Sequence, residues 1–144
     1  MKGYFEIGVY HCKTAVNLGT LWRSAYQLGA AGIFVIGARF QRQSSDTVKA
    51  FKHIPLREYS TFEHFQDARP YDCMLIGIEM GGRNLSGYNH PERAIYLLGA
   101  EDHGLPGKII DKCQSIISLE AVKTPSYNVA VAGSLVMYHR QFHP

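Results

Sequence analysis

Nothing in this sequence supplies a metal cage, a membrane span or a nucleotide-phosphate cradle. Its three cysteines, Cys12, Cys73 and Cys113, stand far apart. No Cys-x-x-Cys and no His/Cys pair at zinc spacing occurs, so no metal is expected, and the odd count fits a reducing compartment. The seven histidines are scattered. His139 and His143 are four apart but lack the glutamate of a zinc-protease helix, and they read as surface residues. No apolar run approaches the ~18 residues of a membrane span, and the opening MKGYFEIGVYH has no long apolar stretch of a secretory signal. A cytoplasmic protein that does not enter a membrane is expected. No Gly-x-Gly-x-x-Gly follows the first apolar run, which weighs against a dinucleotide-binding protein, and no Gly-Lys-Ser/Thr marks a P-loop. Neither sign of charge dominates: 15 Lys and Arg against 12 Asp and Glu leave +3, which is compatible with a polyanionic partner without specifying one.

What is present is an alternation of apolar, β-branched runs with helical stretches. Strands are expected at 5–10, 33–36, 54–59, 73–78, 94–98 and 115–119. Helices are expected at 17–28, with Asn17 as N-cap and Gly29 as its stop, at 61–66 behind Thr61, at 105–112 with Pro106 in the first turn, and at 128–140. A weak helical turn opens at Asp46. The alternation predicts an α/β fold with a mainly parallel sheet flanked by helices, and the 144 residues suit a single domain over 1–144 without an additional RNA-binding domain. Segments 77–93 and 99–107 read as loops after strands, where open α/β sheets place their ligands.

Three segments hold residues with chemical potential, and each also has an ordinary explanation. In NLGTLWRSAYQLGA (17–30), Arg23 stands clear of the apolar stripe of Leu18, Leu21, Trp22 and Ala25; alone this is a capped amphipathic helix with a solvated arginine. In LLGAEDHGLPG (97–107), Gly99 after a buried strand permits close approach of a ligand to main-chain groups, with Glu101 and Gly104 following; alone it is a βα turn. In TPSYNVAVAGSLVMYHR (124–140), Ser126 and Asn128 are good caps for a helix whose small residues permit close packing against the sheet or a second subunit.

Taken in order, NLGTLWR, GAEDHG and SYN resemble the Asn-x-Gly-x-x-x-Arg, Gly-x-Glu-x-x-Gly and Ser-Leu-Asn motifs of the SpoU (TrmH-type) branch of the SPOUT RNA methyltransferases. Tyr127 stands where that family usually has leucine, and ISLEAVKTP lacks the family's Ile-Pro-Met and glycine. The resemblance implies a C-terminal trefoil knot, a topology few folds share, and transfer of a methyl group from S-adenosylmethionine to an RNA ribose 2'-hydroxyl. It implies a cofactor pocket lined by Ile78, Glu79, Gly99, Leu119, Ser126 and Tyr127. The catalytic set it implies is Arg23, Asn17, Glu101, Ser126 and Asn128, in a homodimer whose site lies at the interface. The basic residues Arg39, Arg42, Lys49 and Lys52, with Arg57 nearby and only Asp46 against them, join Arg23 as the expected RNA-binding surface; tRNA is favoured over rRNA. The alternative is an RNA-binding protein that kept the knotted fold without methyltransferase activity.

Overall fold

A computed structural model describes residues 3–39, 53–100 and 102–143. Within them the apolar runs form six strands: β1 (Tyr4–Tyr10), β2 (Gly32–Ile36), β3 (Leu56–Tyr59), β4 (Met74–Asn84), β5 (Arg93–Gly99) and β6 (Ser115–Ser118). They lie in the order β3-β2-β1-β5-β4-β6, and every pairing between them is parallel. The helices are α1 (Ala15–Gln27), α2 (Phe62–Ala68), α3 (Gly107–Ile110) and α4 (Val129–Phe142). None is long and apolar enough to cross a membrane.

Alternation along the central strands sorts the core into two layers. Phe5, Ile7 and Val9 of β1, with Tyr96 and Leu98 of β5, pack against Leu21 and Ala25 of α1 and Val136 and Met137 of α4. Phe34 and Ile36 of β2, with Ile95 and Leu97 of β5, pack against Phe62 and Phe65 of α2 and Ile109 of α3. Both faces are therefore covered, which is why these strands are nearly continuous apolar runs. Burying each such side chain is worth about 1.5–3 kcal/mol. Helix α4 approaches α1 closely because position 133 is glycine: a Cβ there would stand 2.5 Å from Leu21 Cδ1.

Several boundaries depart from the expectations. Helix α1 begins two residues before Asn17, and its N-cap is Thr14, whose hydroxyl accepts the Asn17 main-chain N–H; either residue type can cap, and only the backbone path decides. Its stop is as expected, Gly29 taking φ +86° beyond the last turn. Thr61 and Asn128 cap α2 and α4 as read. Strand β3 starts at Leu56, after Pro55. The segment 79–84, read as loop, belongs to β4: the strand bulges out after Ile78 and rejoins β6 at Arg83, so that Ile117 faces both residues. Helix α3 is a single turn with Pro106 before it as N-cap, not the longer helix expected over 105–112.

Candidate active site

The bulge of β4, the carboxyl ends of β5 and β6 and the residues leading into α4 enclose a cleft of about 290 Å³. Ile78 and Glu79 reach it from β4, Leu98 and Gly99 from β5, Leu119 from beyond β6, and Ser126 and Tyr127 from the segment before α4. All six residues expected to line a cofactor pocket thus come together, although 48 positions separate Ile78 from Ser126. Met80, Ala100, Asp102, His103, Pro125, Val129 and Ala132 also line the cleft and were not singled out from the sequence. Asp102 and His103 lie inside the GAEDHG segment that was, so adjacency to the motif was the available signal; Met80 and Pro125 carried none.

The cleft floor depends on two glycines and one carboxylate. Gly99 makes room for the chain's own return rather than for a ligand's approach: a Cβ there would stand 2.3 Å from the Gly104 carbonyl carbon. Gly104 has φ +64°, and a Cβ on it would stand 2.4 Å from Glu79 Oε2. That oxygen accepts the Leu105 N–H at 2.6 Å, while Oε1 accepts the Met80 N–H at 3.0 Å. Glu79 therefore clamps the turn before Leu105 to the bulge of β4. Ser118 fixes the bulge behind it, donating to the Glu79 carbonyl and accepting from Gly82 N–H, both at 2.7 Å. On the other wall the Tyr127 hydroxyl donates to the Glu120 carbonyl at 2.6 Å, a bond that leucine could not make.

The first and third motifs meet directly. Asn128 Nδ2 donates to Asn17 Oδ1 at 3.0 Å, while Asn128 Oδ1 caps α4 by accepting from Ala130 and Val131 N–H. Arg23 is not part of the cleft wall of its own chain. It is exposed on α1, two turns from the exposed Val16 on the same face, and makes no hydrogen bond or ion pair with a described residue.

Arg39 lies at the cleft's rim. Its two terminal nitrogens donate to the Asp102 carboxylate at 3.1 and 2.8 Å, and this fork holds Asp102 below the usual carboxylate range while raising Arg39. Lys13 Nζ is 4.0 Å and His103 Nε2 3.5 Å from the same carboxylate. Burial, with Arg39, His103 and Lys108 nearby, lowers His11. Arg57, read with the basic segment, instead pairs with the buried Glu6 at 3.1 Å, within the amino-terminal halves of β3 and β1 and away from the cleft. Glu101, Arg42, Lys49, Lys52 and Asp46 lie outside the described residues. Among those described, no group of three His, Cys, Asp or Glu could hold a metal ion.

Outside the cleft, α4 presents two further features. Val131, Leu135, Tyr138 and Phe142 form an exposed apolar stripe, 41–63% accessible, and the last three border a groove of about 490 Å³ with Leu85 and Tyr127. His139 is half-buried, with one edge on that groove rather than wholly on the surface as expected: its Nδ1 is 2.8 Å from His90 Nε2, and His90 Nδ1 is 2.6 Å from the Tyr96 hydroxyl. Arg140 donates to that hydroxyl, whose own proton is then free to be given to His90 Nδ1. His90 in turn donates to His139, leaving a proton on His139 Nε2. That atom is buried near the Ser86 main chain but outside hydrogen-bonding geometry.

The sequence model of the SpoU rRNA Methylase family matches residues 5–138. The chain is 28% identical over 134 residues to the tRNA (guanosine(18)-2'-O)-methyltransferase TARBP1 of Mus musculus, covering 85% of this chain and 8% of that protein. It is also 28% identical over 132 residues to YacO of Bacillus subtilis, named for the TrmH family of tRNA/rRNA methyltransferases, covering 85% of this chain and 52% of YacO. The chain thus spans about half the length of one of these relatives and a small part of the other. Its fold superimposes on the AdoMet-bound rRNA methyltransferase of Sinorhizobium meliloti with a TM-score of 0.84 at 22% identity, over 99% of this chain and 57% of that one.

Proposed function

The chain belongs to the SpoU rRNA Methylase family, and from that premise we propose that it transfers a methyl group from S-adenosylmethionine to a ribose 2'-hydroxyl of RNA, with tRNA the favoured substrate. The observation that carries this reading is the convergence of Ile78, Glu79, Gly99, Leu119, Ser126 and Tyr127 on one cleft. Its lining suits a nucleoside with a charged arm. Ile78, Leu98, Leu119 and Ala132 offer apolar walls, Ser126 a hydroxyl, and Glu79 a carboxylate. The volume is at the lower end for small-molecule sites.

When bound, the cofactor supplies a methyl group on a sulfonium, already a good leaving group. The protein's own task is then to position the ribose hydroxyl and to favour loss of its proton. Arg23 cannot serve as a base, because a guanidinium stays protonated at working pH. Its fork instead grips a neighbouring phosphate and stabilises the developing alkoxide. Asn17 and Asn128, bonded to each other, fix the start of α1 against the start of α4 and so set where α1 presents that arginine.

Arg23 is absent from the cleft of its own chain, so the reading includes a homodimer in which α1 of one protomer faces the partner's cleft. The exposed stripe on α4, with its adjoining groove, is the apolar surface available to such a contact. Radiolabelled methyl transfer from S-adenosylmethionine to bulk tRNA tests the proposal. Arg23→Ala is expected to lower the rate at least about 100-fold while thermal unfolding stays as in the parent. Near-parental transfer by that variant removes Arg23 from the mechanism, and no cofactor binding by calorimetry at millimolar ligand favours an RNA-binding protein without the activity. Leu135→Glu is expected to give a monomer by sedimentation and to lose transfer; an active monomer excludes the interface site.

A further inference from the structure

At the cleft's rim, basic side chains outnumber acids around one carboxylate among the described residues. Asp102 receives the fork of Arg39, with Lys13 and His103 within 4.0 and 3.5 Å. The two partners are not equally constrained. Arg39 is held open from behind: its Nε donates to the His11 carbonyl at 3.1 Å and its main-chain N–H to the Cys12 carbonyl at 2.9 Å. Asp102 rides on the short turn closed by Gly104 N–H to the Ala100 carbonyl at 2.8 Å. Both side chains keep about a third of their surface in water, 33% and 30%, and an exposed ion pair of this kind contributes little to stability. A guanidinium fork held in place at such a rim fits phosphate as well as it fits carboxylate.

We propose that Asp102 occupies, in the RNA-free protein, the seat of an RNA backbone phosphate, and that RNA takes over Arg39, Lys13 and His103 by displacing it. The proposal rests on the RNA reading above and adds a coupling to it. Asp102 and His103 also line the cleft, and Glu79 holds the other end of the same turn through Leu105. Exchange of carboxylate for phosphate releases one end of that turn. RNA binding and cofactor binding then alter each other's affinity by the same factor.

The test is binding of unfractionated tRNA to the full chain over a series of chloride concentrations. Asp102→Asn removes the competitor and is expected to tighten binding about three- to tenfold. Arg39→Gln is expected to weaken binding and to lower the slope of log affinity against log salt by about 1, the signature of one lost phosphate contact. Asp67→Asn, on α2, makes the same change in net charge elsewhere. The proposal is overturned if Asp102→Asn binds no tighter than the parent, if Asp67→Asn tightens binding equally, or if Arg39→Gln keeps the full slope. Tightening of Asp102→Asn for inorganic phosphate but not for tRNA marks a small-anion seat and also overturns it. Methyl transfer to the same tRNA is scored separately. A gain in Asp102→Asn without any transfer sinks the methyltransferase reading and leaves the anion seat standing, while transfer without the gain does the reverse.

Discussion

Arg140 is the most deeply buried charge in the described molecule, 2% exposed beneath α4. One terminal nitrogen donates to the Pro91 carbonyl at 2.7 Å and the Tyr96 hydroxyl at 3.1 Å, the other to the Glu92 carbonyl at 2.8 Å, and the guanidinium stacks over Phe5. Replacing it with leucine keeps the apolar contacts but removes three hydrogen bonds; the Glu92 carbonyl keeps the Tyr4 N–H and the Tyr96 hydroxyl keeps His90, while the Pro91 carbonyl loses its donor. The expected loss is about 3–5 kcal/mol, roughly 10 °C in melting temperature by calorimetry. Gly104 tests the cleft rather than the core. Gly104→Ala places a methyl group against Glu79 in a backbone conformation that L residues disfavour, so the Leu105 bond must yield. The expected result is about tenfold weaker cofactor binding by calorimetry, with a smaller change in melting temperature than Arg140→Leu. The sequence identified Gly104 through its motif, but Arg140 read there only as the end of a polar-capped helix. Nothing in its neighbours announces burial, because its partners are two carbonyls and a hydroxyl more than forty positions away.

Among the elements, α4 was the most legible and β4 the least. A run of Val, Ala and Gly after Asn128 marks a helix covered on more than one side, and Gly133 against Leu21 supplies the reason for its small residues. Gly133→Leu is expected to force the α1 and α4 axes apart and cost about 1–3 kcal/mol, read as a lower denaturant midpoint at unchanged slope. The second half of β4, EMGGRN, has the composition of a loop. It is a strand because its main chain pairs with β6 after a bulge, and main-chain pairing leaves no mark on side-chain pattern. Single-turn α3 was overestimated for a related reason: Pro106 suggests a helix start, while the helix's extent depends on how soon β6 must begin.

For the molecule as a whole, the buried chain Arg140, Tyr96, His90, His139 makes stability depend on acid. Burial, then His139, Arg140 and His143, push His90 down to about 4, and burial lowers His139 as well. Unfolded, both take a proton near pH 6.5. Between pH 6.5 and 4 the unfolded chain therefore binds more protons than the folded one, and stability falls as pH falls through that window; above it these groups contribute no slope. Melting temperature is expected to drop by a few degrees from pH 7 to 5, and His90→Gln is expected to flatten that drop. A parallel decline in both proteins excludes this pair as its source. At this scale the layered α/β architecture was readable from alternation alone. The meeting of Asn17 with Asn128 was not, since spacing along a chain says nothing of which turns return to one another.

That asparagine pair sits where α1 docks on α4. Until residues 129–142 have left the ribosome, the side of α1 that carries Leu21 and Ser24 has no lid, so the nascent chain carries a greasy, uncovered flank. Shortening the gene before that stretch should yield an insoluble product rather than a weak enzyme, because the segment that completes the cleft is also the one that hides the flank.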